Sequence, residues 1–120
     1  RKIRACKVSI QVPQQRAHEV IEAAKKNFQI LLHYDNIGEI VPKGFTKASG
    51  IRRVCDLLGI DRADTIAVGD SINDVDMLQF AGCGIAMGNA TEPAKAIADY
   101  VTTDIFEDGI WNAMAHMGLL

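Results

Sequence analysis

The sequence contains no apolar run long enough to span a bilayer, and Arg1-Lys2-Ile3-Arg4 is too short and too interrupted by charge to act as a signal peptide. No membrane function is expected. Neither sign of charge dominates: 13 basic and 15 acidic residues leave a net charge of -2. This argues against nucleic acid as a partner, because binding to a phosphate backbone needs clustered Lys and Arg. Basic residues do gather at Arg1, Lys2, Arg4 and Lys7, where they read as a solvated strand edge. Cysteine is sparse. Cys6, Cys55 and Cys83 form no CxxC pair and fall among apolar residues, the pattern of buried thiols in a reducing compartment, hence of a cytoplasmic protein without a zinc centre. His18, His33 and His116 lack HExxH spacing, which excludes a metallopeptidase helix and leaves ordinary histidines.

What is present suits one modest globular core: 120 residues, 48% of them hydrophobic. From Cys6 to Val12 apolar and polar residues alternate, which predicts a strand with one wet face, and Pro13 then removes a ladder donor. Ala17, Val20, Ile21, Ala24 and Phe28 recur at helical spacing, so 14–27 reads as an amphipathic helix. Two short strands follow, near 29–34 and 38–41, joined by a turn at Asp35-Asn36. Pro42-Lys43-Gly44 punctuates the chain before the pattern changes, dividing it into 1–41 and 42–120.

Beyond that boundary helices and strands alternate. The stripe Ala48, Ile51, Val54, Cys55 and Leu58 predicts a helix stopped by Gly59. Strands at 65–68, 84–87 and 100–102 alternate with helices at about 73–81, 92–98 and 109–117, and the Thr91 hydroxyl is placed to cap the second of these helices. Such alternation implies an α/β fold with a parallel sheet covered by helices. Ile66-Ala67-Val68 is apolar at every position, the mark of a strand inside a sheet, so another strand is expected beside it.

The chemistry concentrates where that strand ends, in Gly69-Asp70-Ser71-Ile72-Asn73-Asp74-Val75-Asp76. Ligands of open α/β sheets bind beyond the carboxyl ends of the strands. Asn73 and Asp74 open the next helix, whose first N–H groups lack intrahelical partners and suit an anion. Asp70 and Asp74 are the carboxylates available to hold Mg²⁺, an oxygen-seeking ion that bridges to phosphate. Asp76 reads instead as a stabiliser of the helix N-terminus. Lys47 breaks a local rule: a cation in the first turn after Thr46 opposes the helix dipole, at a cost of roughly 0.3–1 kcal/mol. An ammonium there suits a phosphate or a pair with Asp74, and a plain solvated lysine is the alternative when this segment is read alone.

Together these segments resemble the haloacid dehalogenase-like (HAD) hydrolase superfamily, and its Cof-type phosphatases in particular. The run Glu39-Ile40-Val41-Pro42-Lys43-Gly44-Phe45-Thr46-Lys47 is similar to that group's lysine motif, and Gly69-Asp70-Ser71-Ile72-Asn73-Asp74 to its metal motif. The closing runs Gly84–Ala90, Ala98–Thr102 and Glu107–Ile110 resemble its last segments. Ala48 stands where the group usually has glycine. The resemblance implies a partial Rossmann-like core over 42–120, with 1–41 the remnant of an α+β cap. It implies Asp70 as a Mg²⁺ ligand, Asp74 as a supporting carboxylate, Lys47 and Asn73 as contacts to the phosphoryl group, and Asn89 at the border of the site. The substrate implied is a small phosphorylated metabolite such as a sugar phosphate.

One part of the family's chemistry has no counterpart. Its members attack phosphorus with an aspartate from a DxD motif, forming an aspartyl phosphate that water cleaves, and no DxDGT-like segment precedes Lys47. Asp74-Val75-Asp76 has the spacing but lies inside the metal motif. The chain is therefore expected to be the C-terminal portion of a phosphatase, inactive alone, completed by an N-terminal segment or a second chain, or self-associating through its open strand edge. A non-catalytic Mg²⁺- or phosphate-binding module is the alternative. A piece of a cation-pumping ATPase, which shares GDxxND, is disfavoured by the closing segments.

Overall fold

A computed structural model describes residues 7–34 and 37–120; for Gln14, for 31–34 and for Ile37 the backbone alone is described. Arg1, Lys2, Arg4, Cys6 and the expected turn at Asp35-Asn36 lie outside the described residues. The chain forms two units, Arg1–Phe45 and Thr46–Leu120. The division falls a few residues beyond the Pro42 boundary read from the sequence, because Pro42 still belongs to a strand, paired opposite Phe28.

The first unit runs β1 (Val8–Gln11), α1 (Gln14–Lys25), β2 (Phe28–Tyr34), β3 (Ile37–Pro42). Its antiparallel sheet has the order β1-β3-β2, with Ile10 opposite Gly38 and Ile30 opposite Ile40. Pro13 precedes α1, where a missing N–H costs nothing.

The second unit carries α2 (Lys47–Leu58), β4 (Ile66–Gly69), α3 (Val75–Phe80), β5 (Cys83–Ala86), α4 (Glu92–Ile97), β6 (Tyr100–Val101) and α5 (Gly109–His116). The three strands form a parallel sheet in the order β4-β5-β6, as the alternating pattern requires. α3 packs on β4 and β5, with α2 and α4 against it. Small side chains make this approach possible: Ala67, Ala81, Ala86 and Ala94 are buried around Leu78. α2 stops at Gly59, whose φ of 66° is cheap only for glycine and returns its N–H to the Cys55 carbonyl.

Two local expectations are corrected. The helix after β4 begins at Val75, not Asn73, because 72–74 form a 3₁₀ turn closed by Asp74 N–H to the Ser71 carbonyl at 3.0 Å. The Thr91 hydroxyl does not cap α4. Thr91 is instead held by its backbone, its N–H donating to the Asp70 carbonyl at 2.8 Å. β4 lies at the edge of the sheet among the described residues, the open apolar edge expected from its sequence, and Ile66 is exposed. No helix of the described residues is long and apolar enough to cross a membrane.

Candidate active site

β4 delivers Gly69 and Asp70 to the carboxyl end of the sheet, and the backbone there is stitched to the loop after β5. Met87 N–H donates to the Gly69 carbonyl at 2.9 Å and, beside it, Thr91 N–H to Asp70. The 3₁₀ turn then brings Asp74 back under this bend. Its Oδ2 accepts the backbone N–H groups of Asp70 and Ser71, each at 3.1 Å, and lies 3.1 Å from the Ser71 hydroxyl oxygen. Asp74 is only 4% exposed. So close an approach requires Gly69, since a Cβ at that position would meet Asp74 Cβ at 2.6 Å.

Lys47 reaches the same carboxylate from α2. Its ammonium donates to Asp74 Oδ1 and forms an ion pair with it across 27 residues of sequence. Burial pushes the Asp74 carboxyl up, but the Lys47 ammonium and the N–H groups of Asp70 and Ser71 outweigh it, leaving the carboxyl below its ordinary value. Asp74 is therefore a fixed negative charge at neutral pH. The Lys47 side chain remains 47% exposed, so its charge is shared between Asp74 and the solvent. Thr46 and Ser49 form a reciprocal capping box that sets the first turn of α2 and with it the exit of Lys47.

The remaining candidates divide. The Ser71 hydroxyl donates to Asn73 Oδ1, which leaves the Asn73 NH₂ without a partner among the described residues and able to donate to an anion. The Asp70 side chain is exposed and makes no hydrogen bond or ion pair among the described residues. Asn89 does something else: its Oδ1 accepts the Ile105 N–H at 3.1 Å and anchors the turn at 105–107. Two residues assigned no role by sequence belong to the construction, Gly69 and Ser71. The spacing Ser71-x-x-Asp74, a capping-box pattern, was the signal for the second.

No group of three or more His, Cys, Asp or Glu converges among the described residues, and both oxygens of Asp74 are already engaged. Asp70 alone offers a free carboxylate beside the anion-ready Asn73 and Lys47. One carboxylate, completed by waters and phosphate oxygens, is within the habits of Mg²⁺. Of the two aspartates expected to hold Mg²⁺, Asp70 is the one whose carboxylate would be open to it, and Asp74 would support it through Lys47 and the bend.

A fixed carboxylate holding an ammonium at the end of a parallel strand is compatible with several phosphate-handling folds, and comparison with known proteins separates them. Residues 1–114 match the haloacid dehalogenase-like hydrolase family. The chain belongs to the HAD-like hydrolases. Within that superfamily it is similar to the putative phosphatase YkrA of Bacillus subtilis, with 42% identity over 98 residues, 82% of this chain and 38% of that protein. The 5-amino-6-(5-phospho-D-ribitylamino)uracil phosphatase YitU of the same organism is 46% identical over 72 residues, 60% of this chain and 27% of that one. The structure of a HAD subclass IIB sugar phosphatase superposes with a TM-score of 0.84 and 37% identity, over 95% of this chain and 44% of that chain. These likenesses put the chain among the Cof-type HAD proteins, and it spans less than half the length of each of these three relatives.

Proposed function

We propose that the second unit is the metal-holding and charge-neutralising half of a phosphohydrolase site acting on small phosphorylated metabolites, sugar phosphates among them. The observation that carries this reading is the Lys47–Asp74 pair at the end of β4, set beside an Asp70 carboxylate and an Asn73 NH₂ that have no partner among the described residues. Asp74 keeps the Lys47 ammonium charged and aimed, so that it can turn from the carboxylate to a phosphoryl oxygen without a search through rotamers. Asn73 donates to a second oxygen. Mg²⁺, when bound at Asp70, supplies further positive charge to the phosphoryl group. The attack itself falls to an aspartate outside these 120 residues, forming the aspartyl phosphate that water then cleaves. The strand that bears it is assigned to the open edge of β4. The two thiols among the described residues, Cys55 and Cys83, are unpaired there and suit a cytoplasmic setting.

Two measurements on the 120-residue chain test this. Inorganic phosphate with Mg²⁺ is expected to bind by calorimetry, and the binding to disappear in Lys47→Met and Asp70→Asn. The chain alone is expected to leave p-nitrophenyl phosphate intact, and fusion to an upstream segment bearing an in-frame DxDGT motif to restore hydrolysis. Hydrolysis by the 120-residue chain that Asp70→Asn abolishes would overturn the division of labour. Fusion without gain of turnover would favour a binding module that performs no chemistry.

A further inference from the structure

The first turn of α2 is electrostatically incomplete. It holds no acidic residue, and Lys47 puts a positive charge where the helix dipole is already positive. The capping box satisfies the N–H of Ser49 at 3.1 Å, and Ser49 Oγ in return accepts that of Thr46 at 2.9 Å. It leaves Ala48. That N–H donates outside its own helix, to Asp76 Oδ2 in the first turn of α3 at 3.5 Å. Asp76 is half-buried, and α2 and α3 pack together along this line.

Two consecutive residues of α2 are thus gripped by two carboxylates of one short segment, Lys47 through its side chain by Asp74 and Ala48 through its backbone by Asp76. We infer that Asp76 is a positioning residue: by accepting the Ala48 N–H it registers α2 against α3 and holds the Lys47 ammonium on Asp74. The role is more than the stabilisation of its own helix. The carboxylate supplies the negative charge that the first turn of α2 lacks, so the dipole no longer pushes Lys47 away from its place. The inference rests on the reading of Lys47 as the phosphate-facing cation, yet its own content is narrower and can be tested apart from it.

The test is the reactivity of the Lys47 amine toward acetic anhydride, read by mass spectrometry as a ratio to Lys95 in the same chain. An ammonium held in an ion pair reacts slowly, so Asp76→Ala is expected to raise the ratio roughly two- to fivefold, the size of a dipole-scale interaction. Asp76→Glu should return it toward the wild-type value, and Asp76→Asn, which keeps an acceptor without the charge, should fall between. Unfolding would by itself bring the two lysines toward equal reactivity, so the ratio is read only in variants whose circular dichroism matches the wild type. Should the alanine variant unfold, Asp76→Asn decides. A ratio unchanged in the folded variants refutes the positioning role. Inorganic phosphate, added to the wild-type chain, separates the two readings: failure to protect Lys47 counts against the phosphate site, while the dependence of the ratio on Asp76 stands or falls independently.

Discussion

Removing Asp74 should cost the fold considerably more than removing the lysine it pairs with. Asp74→Ala deletes a buried carboxylate and strands what it had satisfied: the Lys47 ammonium and the N–H groups of Asp70 and Ser71. The ammonium left behind is half exposed and can be solvated, so the loss falls on the two orphaned N–H groups, about 1–3 kcal/mol each. Lys47→Met leaves Asp74 with its backbone donors intact. Since the lysine side chain is 47% exposed, solvent already screens the pair, and the loss should be about 1–2 kcal/mol. Urea titrations of the two variants and the wild type, with unchanged m, measure the difference. The sign of the pH dependence follows from the depressed Asp74 carboxyl. Its stabilisation is complete above the unfolded value near about pH 4 and is lost as pH falls through the lower folded value. The deficit of Asp74→Ala should therefore be constant around neutrality and narrow in acid. If Lys47→Met costs as much as Asp74→Ala, the assignment of Asp74 as the hub of the bend is refuted.

Other substitutions probe separate features. Gly69→Ala places a methyl 2.6 Å from Asp74 Cβ and 2.8 Å from its Cγ; because that side chain is tied at both oxygens, thermal or urea unfolding should register a loss of about 1–3 kcal/mol, and a neutral result would mean the bend can yield. Ile66→Lys on the open edge of β4 should reduce self-association in light scattering at high protein concentration, and an unchanged mass distribution would take the edge out of consideration. Burial and the Asp99 carboxylate both raise the Cys83 thiol, so iodoacetamide near neutral pH should modify it more slowly than a free thiol, and Asp99→Asn should speed the reaction; equal rates in the two proteins would contradict the charge effect.

Much of the second unit was legible because its signals are local. Gly59 stops α2 with the left-handed φ that its residue type anticipates, and the apolar runs 66–68 and 84–87 mark two of the three strands to within a residue or two. The turn at 72–74 was read as helix because Asn73 and Asp74 have the composition of a helix start. What bends the chain there is a long-range demand, the Asp74 carboxylate serving N–H groups behind it and an ammonium from another helix. The Thr91 cap failed for a similar reason, its backbone being tied to Asp70. Lys47 was visible as an offence against the helix dipole, while the residue that answers the offence, Asp76, was not. Nothing in a single sequence shows that two segments 28 residues apart lie side by side.

The Lys47–Asp74 pair has a consequence for the life of the chain as well as for its chemistry. The two residues meet only after α2, β4 and the turn beyond it have all docked, so the proposed anion site has no counterpart in a partly folded chain. An anion that occupies it binds the native state alone and adds its binding energy to the folding equilibrium. At a hundred times its dissociation constant this amounts to about 2.7 kcal/mol, a sizeable share of what holds a small domain together. The abundance of phosphate around such a chain would then set how long it survives.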